Sequence, residues 1–152
     1  MSLRERLTAD MKAAMKGGEK ARLSTIRLVQ AALKDKDIEA RGAGKEPLSD
    51  DEILAVLQKM VKQRAESIGI YEANGRPELA AGERDEVAVI ETYLPQQLGP
   101  AETETAVAAA IADTGASSVK DMGRVIAKLR ADFAGQMDFA KVSGIVKAKL
   151  SG

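Results

Sequence analysis

Two helix stops in quick succession constrain this sequence more than any other feature. A helical pattern runs up to Leu94 and ends there, because Pro95 lacks an amide hydrogen and disfavours helical geometry in the residue before it. A second stop follows at the Gly-Pro pair that ends with Pro100, and a proline suits the first turn of a new helix. The sequence therefore predicts two helical lobes, residues 1–94 and residues 95–152.

Four helices are predicted in the first lobe from capping signals and apolar spacing. Capping boxes, in which a serine precedes a glutamate by three residues, open the first helix at Ser2 and the third at Ser49. Glycine or proline follows each helical pattern, and aliphatic side chains recur at helical spacing within it. The predicted helices cover about residues 3–16, 20–41, 50–73 and 77–93.

Three shorter helices are predicted in the second lobe. The first begins at Pro100, the second is capped by Ser117 or Ser118 and runs to Phe133, and the third is capped by Asp138. Aromatic residues make up only 3% of the chain, a composition that favours helices packed through aliphatic side chains over a β-sheet. The predicted fold class is all-α, with a four-helix bundle-like first lobe and a three-helix second lobe.

The chain contains no cysteine and no histidine, which removes several classes of chemistry. Disulfides, thiol catalysis, Cys/His zinc sites and Ser-His-Asp triads all need those side chains. Its clustered carboxylates fall near predicted helix starts, where they complement the helix dipole, and no Walker-type phosphate loop is present. We therefore expect no catalytic residue, no metal and no cofactor. Because no apolar run reaches spanning length, we also expect a cytoplasmic protein without a membrane span.

A basic face is predicted on the sixth helix. Lys120, Arg124 and Lys128 recur at i, i+4 and i+8, and Gly123 lies beside them, where glycine costs about 1 kcal/mol relative to alanine. Residues 115–152 hold seven basic side chains against three acidic ones. Evenly spaced cations beside a bare backbone suit a phosphate-lined ligand such as RNA. The alternative interpretation is a solvated helix face whose glycine serves helix–helix packing.

A second polar face is predicted on the third helix. It comprises Lys59, Lys62, Gln63 and Arg64, and its functional interpretation is a surface that contacts a partner protein. The alternative is a solvated face with an intrahelical pair between Lys62 and Glu66, worth about 0.2–0.5 kcal/mol. No aromatic side chain is interleaved with these residues, which argues against base stacking here.

Five segments match a known pattern when they are taken together, in order and at their spacing. They are STIRL (24–28), KQRAESI (62–68), GRPEL (75–79), ETYLP (91–95) and KDMGRVI (120–126). With these segments, nearly the whole chain resembles the YqeY-like proteins of the GatB/YqeY family. The resemblance implies the two-lobe all-α fold expected above.

In that family, a similar domain forms the tail of the B subunit of the tRNA-dependent amidotransferase. It is also fused to some glutaminyl-tRNA synthetases, where it aids tRNA binding. The resemblance therefore implies that the second lobe is similar to this tail and contacts tRNA. The segment that holds Gly123 and Arg124 and the turn that holds Gln136 match the tail's tRNA-facing region, and Lys141 follows that turn. One conservative departure is Ile126, where the family often has methionine.

Three functions are consistent with these features. The leading hypothesis is a non-catalytic tRNA-binding or tRNA-enzyme accessory protein, whose partners are tRNA and a tRNA synthetase or amidotransferase. The family also suggests a component of a glutamine-dependent tRNA amidotransferase, a carbon–nitrogen ligase with glutamine as amido-N-donor. The chain is too short to contain the catalytic parts of that enzyme, so it would act only with other subunits. The third hypothesis is a protein–protein adaptor that uses the third helix.

Overall fold

The regular structure of this chain is entirely helical over the part that can be described, residues 1–151 of the computed structural model. Two compact units divide it: unit 1, Met1–Leu94, and unit 2, which begins at Pro95. Unit 1 contains α1 (Leu3–Lys16), α2 (Lys20–Gly42), α3 (Asp50–Ala73) and α4 (Pro77–Glu91); unit 2 contains α5 (Pro100–Thr114), α6 (Met122–Phe133) and α7 (Phe139–Ser151), with a 3-10 turn at Val119–Asp121. The all-α prediction is confirmed.

The helix boundaries follow the local signals in the sequence. At the start of α3, the amide of Glu52 donates to the Ser49 hydroxyl at 3.2 Å, and the amide of Ser49 donates to the Glu52 carboxylate at 3.1 Å. This complete capping box satisfies two amides that a helix start otherwise leaves free. Pro100 occupies the first turn of α5, as predicted, and the Asp138 carboxylate accepts from the amide of Ala140 at 3.0 Å.

Two boundaries differ from the prediction. Helix α4 ends at Glu91 rather than Tyr93, because the amides of Thr92, Tyr93 and Leu94 bond to the carbonyl three residues back instead of four, which tightens the chain into a turn. The predicted sixth helix begins as a 3-10 turn and becomes α-helical only at Met122. Three apolar side chains near helix or turn ends are exposed: Met15, Leu79 and Val119. Each lies in the first or last turn of its element, where fewer neighbours cover it.

The core of unit 1 is built from aliphatic side chains of all four helices, with one tyrosine. Helices α3 and α4 pack together as a hairpin, α1 packs on α2, and α2 packs on α4. Burial of each large aliphatic side chain contributes about 1.5–3 kcal/mol relative to leaving it exposed. The buried residues of this core are Leu7, Ile26, Val29, Leu33, Ile53, Leu57, Met60, Ile90 and Tyr93.

A polar clamp fixes the loop that connects α2 to α3. The Arg4 guanidinium donates to both oxygens of Asp37 at 2.8 Å and to the Leu48 carbonyl at 3.1 Å. The Leu48 amide in turn donates to Asp37 at 2.9 Å. The hydrogen bonds from Arg4 and from the Leu48 amide hold the pKa of Asp37 below its usual value. The start of α1, the second half of α2 and the loop before α3 are thereby joined.

Unit 2 has its own core, in which α5, α6 and α7 pack against one another. Its buried residues are Val107, Ala110, Val125, Leu129, Met137, Val142 and Val146. The segment before α5 is attached to the turn between α6 and α7. There, the Leu98 amide donates to the Gln136 carbonyl at 3.0 Å, and the Gln97 side-chain amide donates to the Gly135 carbonyl at 2.5 Å. These bonds place the segment in unit 2.

Candidate nucleic-acid interface

Two of the predicted cations lie on the outer side of α6. Arg124 and Lys128 are one helical turn apart, while Val125 and Leu129 are buried on a stripe about 100° further around the helix. An amphipathic helix of this kind presents its polar stripe to solvent because its apolar stripe forms the core. The local arrangement of these two cations is therefore as predicted.

Lys120 does not continue that stripe on the α-helix. It lies on the 3-10 turn, which forms because the Asp121 carboxylate accepts from the amides of Ser117 at 2.9 Å and Ser118 at 3.3 Å before α6 begins. A 3-10 turn advances by about 120° per residue, so the i, i+4 spacing to Arg124 does not hold there. The turn packs against both α6 and α7. Ser118 is the N-cap residue of this turn, as predicted, and its amide donates to the Asp121 carboxylate.

Arg124 is engaged by its own unit. Its guanidinium donates to Asp121 at 2.9 Å and to the carbonyl of Thr114, at the end of α5, at 3.1 Å. Backbone hydrogen bonding from Ser117, followed by the bond from Arg124, lowers the pKa of Asp121 to about 2. Arg124 therefore stabilises the approach to α6, although its side chain is 59% exposed and can still contact a ligand.

Lys128 is also ion-paired. Its ammonium group lies 3.1 Å from the carboxylate of Asp132, one turn further along α6. Both side chains are exposed, so this pair contributes only about 0.2–0.5 kcal/mol and can open at little cost. Two of the three predicted cations, Arg124 and Lys128, therefore already form an ion pair within unit 2. These pairs reduce the positive charge available to a ligand on this face.

Gly123 lies at the surface with no close neighbour. A methyl group added at its Cα would meet no atom within 4 Å over the described chain, so the predicted helix–helix packing role is not found within residues 1–151. Ala127 and Ala131 are exposed on the same side of α6, and Ala140, Gly144 and Ala148 line the exposed side of α7. Because only small side chains cover these faces, a large ligand can approach the helix backbones closely.

The unpaired positive charges of unit 2 lie mainly beside these small residues on α7. Lys120, Lys141 and Lys147 are all exposed, and within residues 1–151 none of them forms an ion pair. By contrast, Lys149 pairs with Glu104 at 3.0 Å. Lys147 was not among the predicted residues, because its six-residue separation from Lys141 does not repeat the helical period.

The remaining predicted residue, Gln136, is placed by the turn between α6 and α7. Its backbone amide donates to the Phe133 carbonyl at 3.0 Å and its carbonyl accepts from Leu98, so its main chain is structural. Its side chain is half-buried. Nearby, the Arg130 guanidinium lies 4.8 Å from the centroid of the Phe139 ring, so this cation covers an aromatic ring of its own unit.

The predicted partner face on α3 loses one of its four members. Lys59, Lys62 and Gln63 are exposed, but Arg64 is turned inward and its side chain is only 15% exposed. It lies about 140° around the helix from Lys59, since each residue advances by about 100°. Its guanidinium contacts Glu86 on α4 at 2.7 Å and Glu83 at 3.8 Å. Arg64 therefore holds α3 to α4 and is not available to a partner.

Comparison with known proteins identifies the family of this chain. The family model described as Yqey-like protein matches residues 4–150. The chain belongs to the YqeY-like family. Residues 1–151 of this YqeY-like protein include no helix long and apolar enough to cross a membrane. The same residues contain no cluster of acidic side chains suited to holding a metal ion.

Three curated relatives of this YqeY-like protein share one printed name. It is 32% identical over 88 residues to "Altered inheritance of mitochondria protein 41, mitochondrial" of Vanderwaltozyma polyspora, covering 58% of this chain and 46% of the relative. It is 34% identical over 88 residues to the protein of that name from Eremothecium gossypii, with the same coverage. For Saccharomyces cerevisiae the identity is 31% over 90 residues, 59% of this chain and 47% of the relative. The match thus spans about half the length of each relative.

Proposed function

We propose that this YqeY-like protein binds tRNA through unit 2 and acts as a non-catalytic accessory to a tRNA enzyme. The observation that carries the proposal is a set of three exposed lysines, Lys120, Lys141 and Lys147, that form no ion pair within residues 1–151 and lie in a segment with an excess of basic residues. Lysines without acidic partners release bound counterions from a nucleic acid when they contact its phosphates.

The surroundings of these lysines favour recognition of the RNA backbone rather than of its bases. Gly123 and Gly144 leave the backbone of α6 and α7 open on the outer side. The two phenylalanines of unit 2, Phe133 and Phe139, are partly buried against its core, and Arg130 covers the ring of Phe139, which leaves little aromatic surface for stacking. A ligand with a regular array of phosphates therefore fits this face better than an unpaired base does.

An accessory role is proposed because the chain has no histidine or cysteine to supply a nucleophile or a base near neutral pH. The proposed compartment is the cytoplasm. The printed name of the yeast relatives places those proteins in mitochondria, and both compartments contain tRNA and the enzymes that charge it.

The test is a titration of fluorescently labelled total tRNA with the full chain at several salt concentrations. Each phosphate-bound lysine contributes about 0.7–0.9 to the slope of log affinity against log salt. Replacement of Lys120, Lys141 and Lys147 by alanine should therefore lower the slope by about two to three. A matched triple variant in unit 1, at Lys36, Lys45 and Lys59, should leave the slope unchanged. Equal losses in both variants, or no binding by the native chain at low salt, would refute the proposal.

A second candidate function follows from the resemblance to the amidotransferase tail. In this role the same tRNA contact would assist a separate glutamine-dependent amidotransferase. Addition of the purified chain to such an enzyme, with glutamine, ATP and mischarged tRNA, should then raise the rate of amidation. The lysine triple variant should not. An unchanged rate with the native chain would remove this candidate and leave the simpler binding role to be judged by the titration.

A further inference from the structure

The outer side of α2 carries a surface that the proposed RNA contact does not use. A shallow depression there is lined by Lys20, Leu23, Ser24, Arg27 and Leu28, which follow one another at i, i+3, i+4, i+7 and i+8. These residues form one continuous stripe along the helix. Meanwhile, the core side of α2 presents a different set, including Ile26 and Val29. The outer stripe therefore has a leucine at each edge, Leu23 and Leu28, with the polar side chains Lys20, Ser24 and Arg27 between them.

Aliphatic side chains form the floor of this depression. Leu28 is 44% exposed and Leu23 is half-buried, while the exposed Met15 of α1 contacts Arg27, whose guanidinium lies 3.9 Å from the Met15 sulfur. Methionine is unbranched and flexible, so it adapts to different partner shapes. Leu28 and Met15 thus expose a small apolar area next to the cation of Arg27.

The charged side chains that line the depression, Lys20 and Arg27, are both positive. Residues 10–35 contain six basic side chains and three acidic ones, Asp10, Glu19 and Asp35, although the chain as a whole has a net charge of zero. The carboxylate of Glu19 lies 3.8 Å from Arg22, so it does not neutralise the two cations that line the depression. A partner that covers this surface must therefore supply negative charge.

Helix stability does not explain the cation at Lys20. Helix α2 begins with Lys20, it has no acidic residue in its first turn, and Glu19 at its N-cap makes no side-chain capping bond. A positive charge at a helix N-terminus opposes the helix dipole. Departures from such local rules are expected where a residue serves binding rather than folding.

We propose that this stripe of α2 is a docking site for an acidic segment of a partner protein that inserts a large apolar side chain between Leu23 and Leu28. A nucleic acid would pair with Lys20 and Arg27 but would leave the leucines exposed. A membrane surface is disfavoured because the apolar residues lie in a depression rather than protruding, and no aromatic residue accompanies them. The site lies in unit 1, so its test is independent of the RNA contact proposed for unit 2.

The experiment is a selection of random displayed dodecapeptides on the full chain, with counter-selection on the Leu28→Ser variant. Enriched peptides should carry a large apolar residue flanked by aspartate or glutamate. For one enriched peptide, labelled with a fluorophore, Arg27→Glu and Leu28→Ser should each raise the Kd by about tenfold, as expected for the loss of a central contact. The matched controls are Arg41→Glu and Ile38→Ser, exposed positions further along the same helix, and they should change the Kd by less than about twofold.

Several outcomes would overturn the proposal. One is the absence of an enriched sequence pattern among the selected peptides, and another is an enriched pattern without acidic residues. A third is an equal loss of affinity in the variants of the depression, Arg27→Glu and Leu28→Ser, and in the two control variants. Binding to vesicles of phosphatidylcholine and phosphatidylglycerol that Leu28→Ser abolishes would assign the surface to a membrane instead. Self-association in sedimentation velocity that Arg27→Glu abolishes would assign it to a second copy of this chain.

Discussion

The Tyr93 hydroxyl donates a 2.5 Å hydrogen bond to the carboxylate of Asp10, across 83 positions of sequence. The tyrosine is only 3% exposed, and the Arg6 guanidinium covers its ring at 4.7 Å from the centroid. Arg6 also donates to the Thr92 carbonyl at 2.7 Å. The last residues of unit 1 are thereby tied to its first helix, which closes the four-helix arrangement.

Replacement of Tyr93 by phenylalanine should destabilise unit 1 by about 1–2 kcal/mol, since it removes a hydrogen bond to a charged acceptor. The loss is limited because Asp10 keeps Arg22 at 3.8 Å. The free energy can be measured by amide hydrogen exchange in α1 and α4. Tyr71→Phe, at the other tyrosine of the chain, is the matched control and should cost less than about 0.5 kcal/mol. Equal effects at the two positions would contradict the role of the bond.

The contribution of Tyr93 should also depend on pH. Burial, followed by the bond to Asp10, raises its pKa to about 12 from the ordinary value of 10.0. Between these values the unfolded chain has lost the phenol proton and the folded chain retains it, so the unfolded state binds fewer protons and stability falls as pH rises. The stability difference between the native chain and Tyr93→Phe should therefore be full below pH 10 and shrink towards pH 12. A constant difference across this range would show that the pKa is unperturbed.

Arg64 should behave as a structural residue. Arg64→Met keeps a long aliphatic side chain but removes the cation that faces Glu86 and Glu83, so unit 1 should lose about 1–3 kcal/mol. Lys59→Met, at an exposed position on the same helix, should change the free energy of unfolding by less than about 0.5 kcal/mol. Urea titration followed by circular dichroism provides the measurement. If Arg64→Met leaves the free energy of unfolding unchanged, the contact between Arg64 and the α4 carboxylates does not stabilise unit 1.

Two glycines of unit 2 should respond to alanine in opposite directions. Gly144 lies inside α7 with no atom within 4 Å of an added Cβ, so Gly144→Ala should stabilise unit 2 by about 0.5–1 kcal/mol. Gly115 ends α5 with a φ of 66°, a left-handed conformation that costs other residues about 1–2 kcal/mol. Gly115→Ala should therefore destabilise the unit. Thermal unfolding of the two variants checks both signs, and shifts in the same direction would contradict this account.

Removal of an acidic side chain should strengthen the proposed RNA contact. Asp132→Asn releases Lys128 from its ion pair, so the affinity for tRNA should rise and the salt slope should increase by about one. Asp113→Asn makes the same change of charge at an exposed position on α5 and serves as the control. The same tRNA titration measures both. If the two variants raise the affinity for tRNA equally, the change in net charge is responsible and Lys128 has no specific role.

The helices were predictable because their signals are local. The capping box at Ser49, the proline at position 100 and the glycines after α1 and α5 each act within one turn of the chain. The start of α6 was not predictable in the same way. There, the Asp121 carboxylate competes for the amides of Ser117 and Ser118, and the outcome is a 3-10 turn. No spacing rule distinguishes this from an α-helical first turn.

At the candidate sites, too, contacts within one helix could be predicted from the sequence, whereas contacts between helices could not. The inward orientation of Arg64 was available from the sequence, because 57, 60 and 64 fall on one side of a helix and the first two are core positions. The pairing of Lys128 with Asp132 was likewise readable at i, i+4. The contact between Arg124 and the Thr114 carbonyl was not, since it depends on how α5 and α6 pack. The tRNA contact itself remains a prediction.

The charge at the beginning of α2 has a consequence for laboratory evolution. A carboxylate in place of Lys20 would complement the helix dipole, so it is among the first changes that selection for heat resistance alone would favour. The same change would remove a cation from the rim of the depression. Populations evolved only for heat resistance should therefore lose Lys20 readily. Populations that must also retain growth should keep Lys20 if the docking site matters to the cell. Position 20 would then be under opposite selection for stability and for binding.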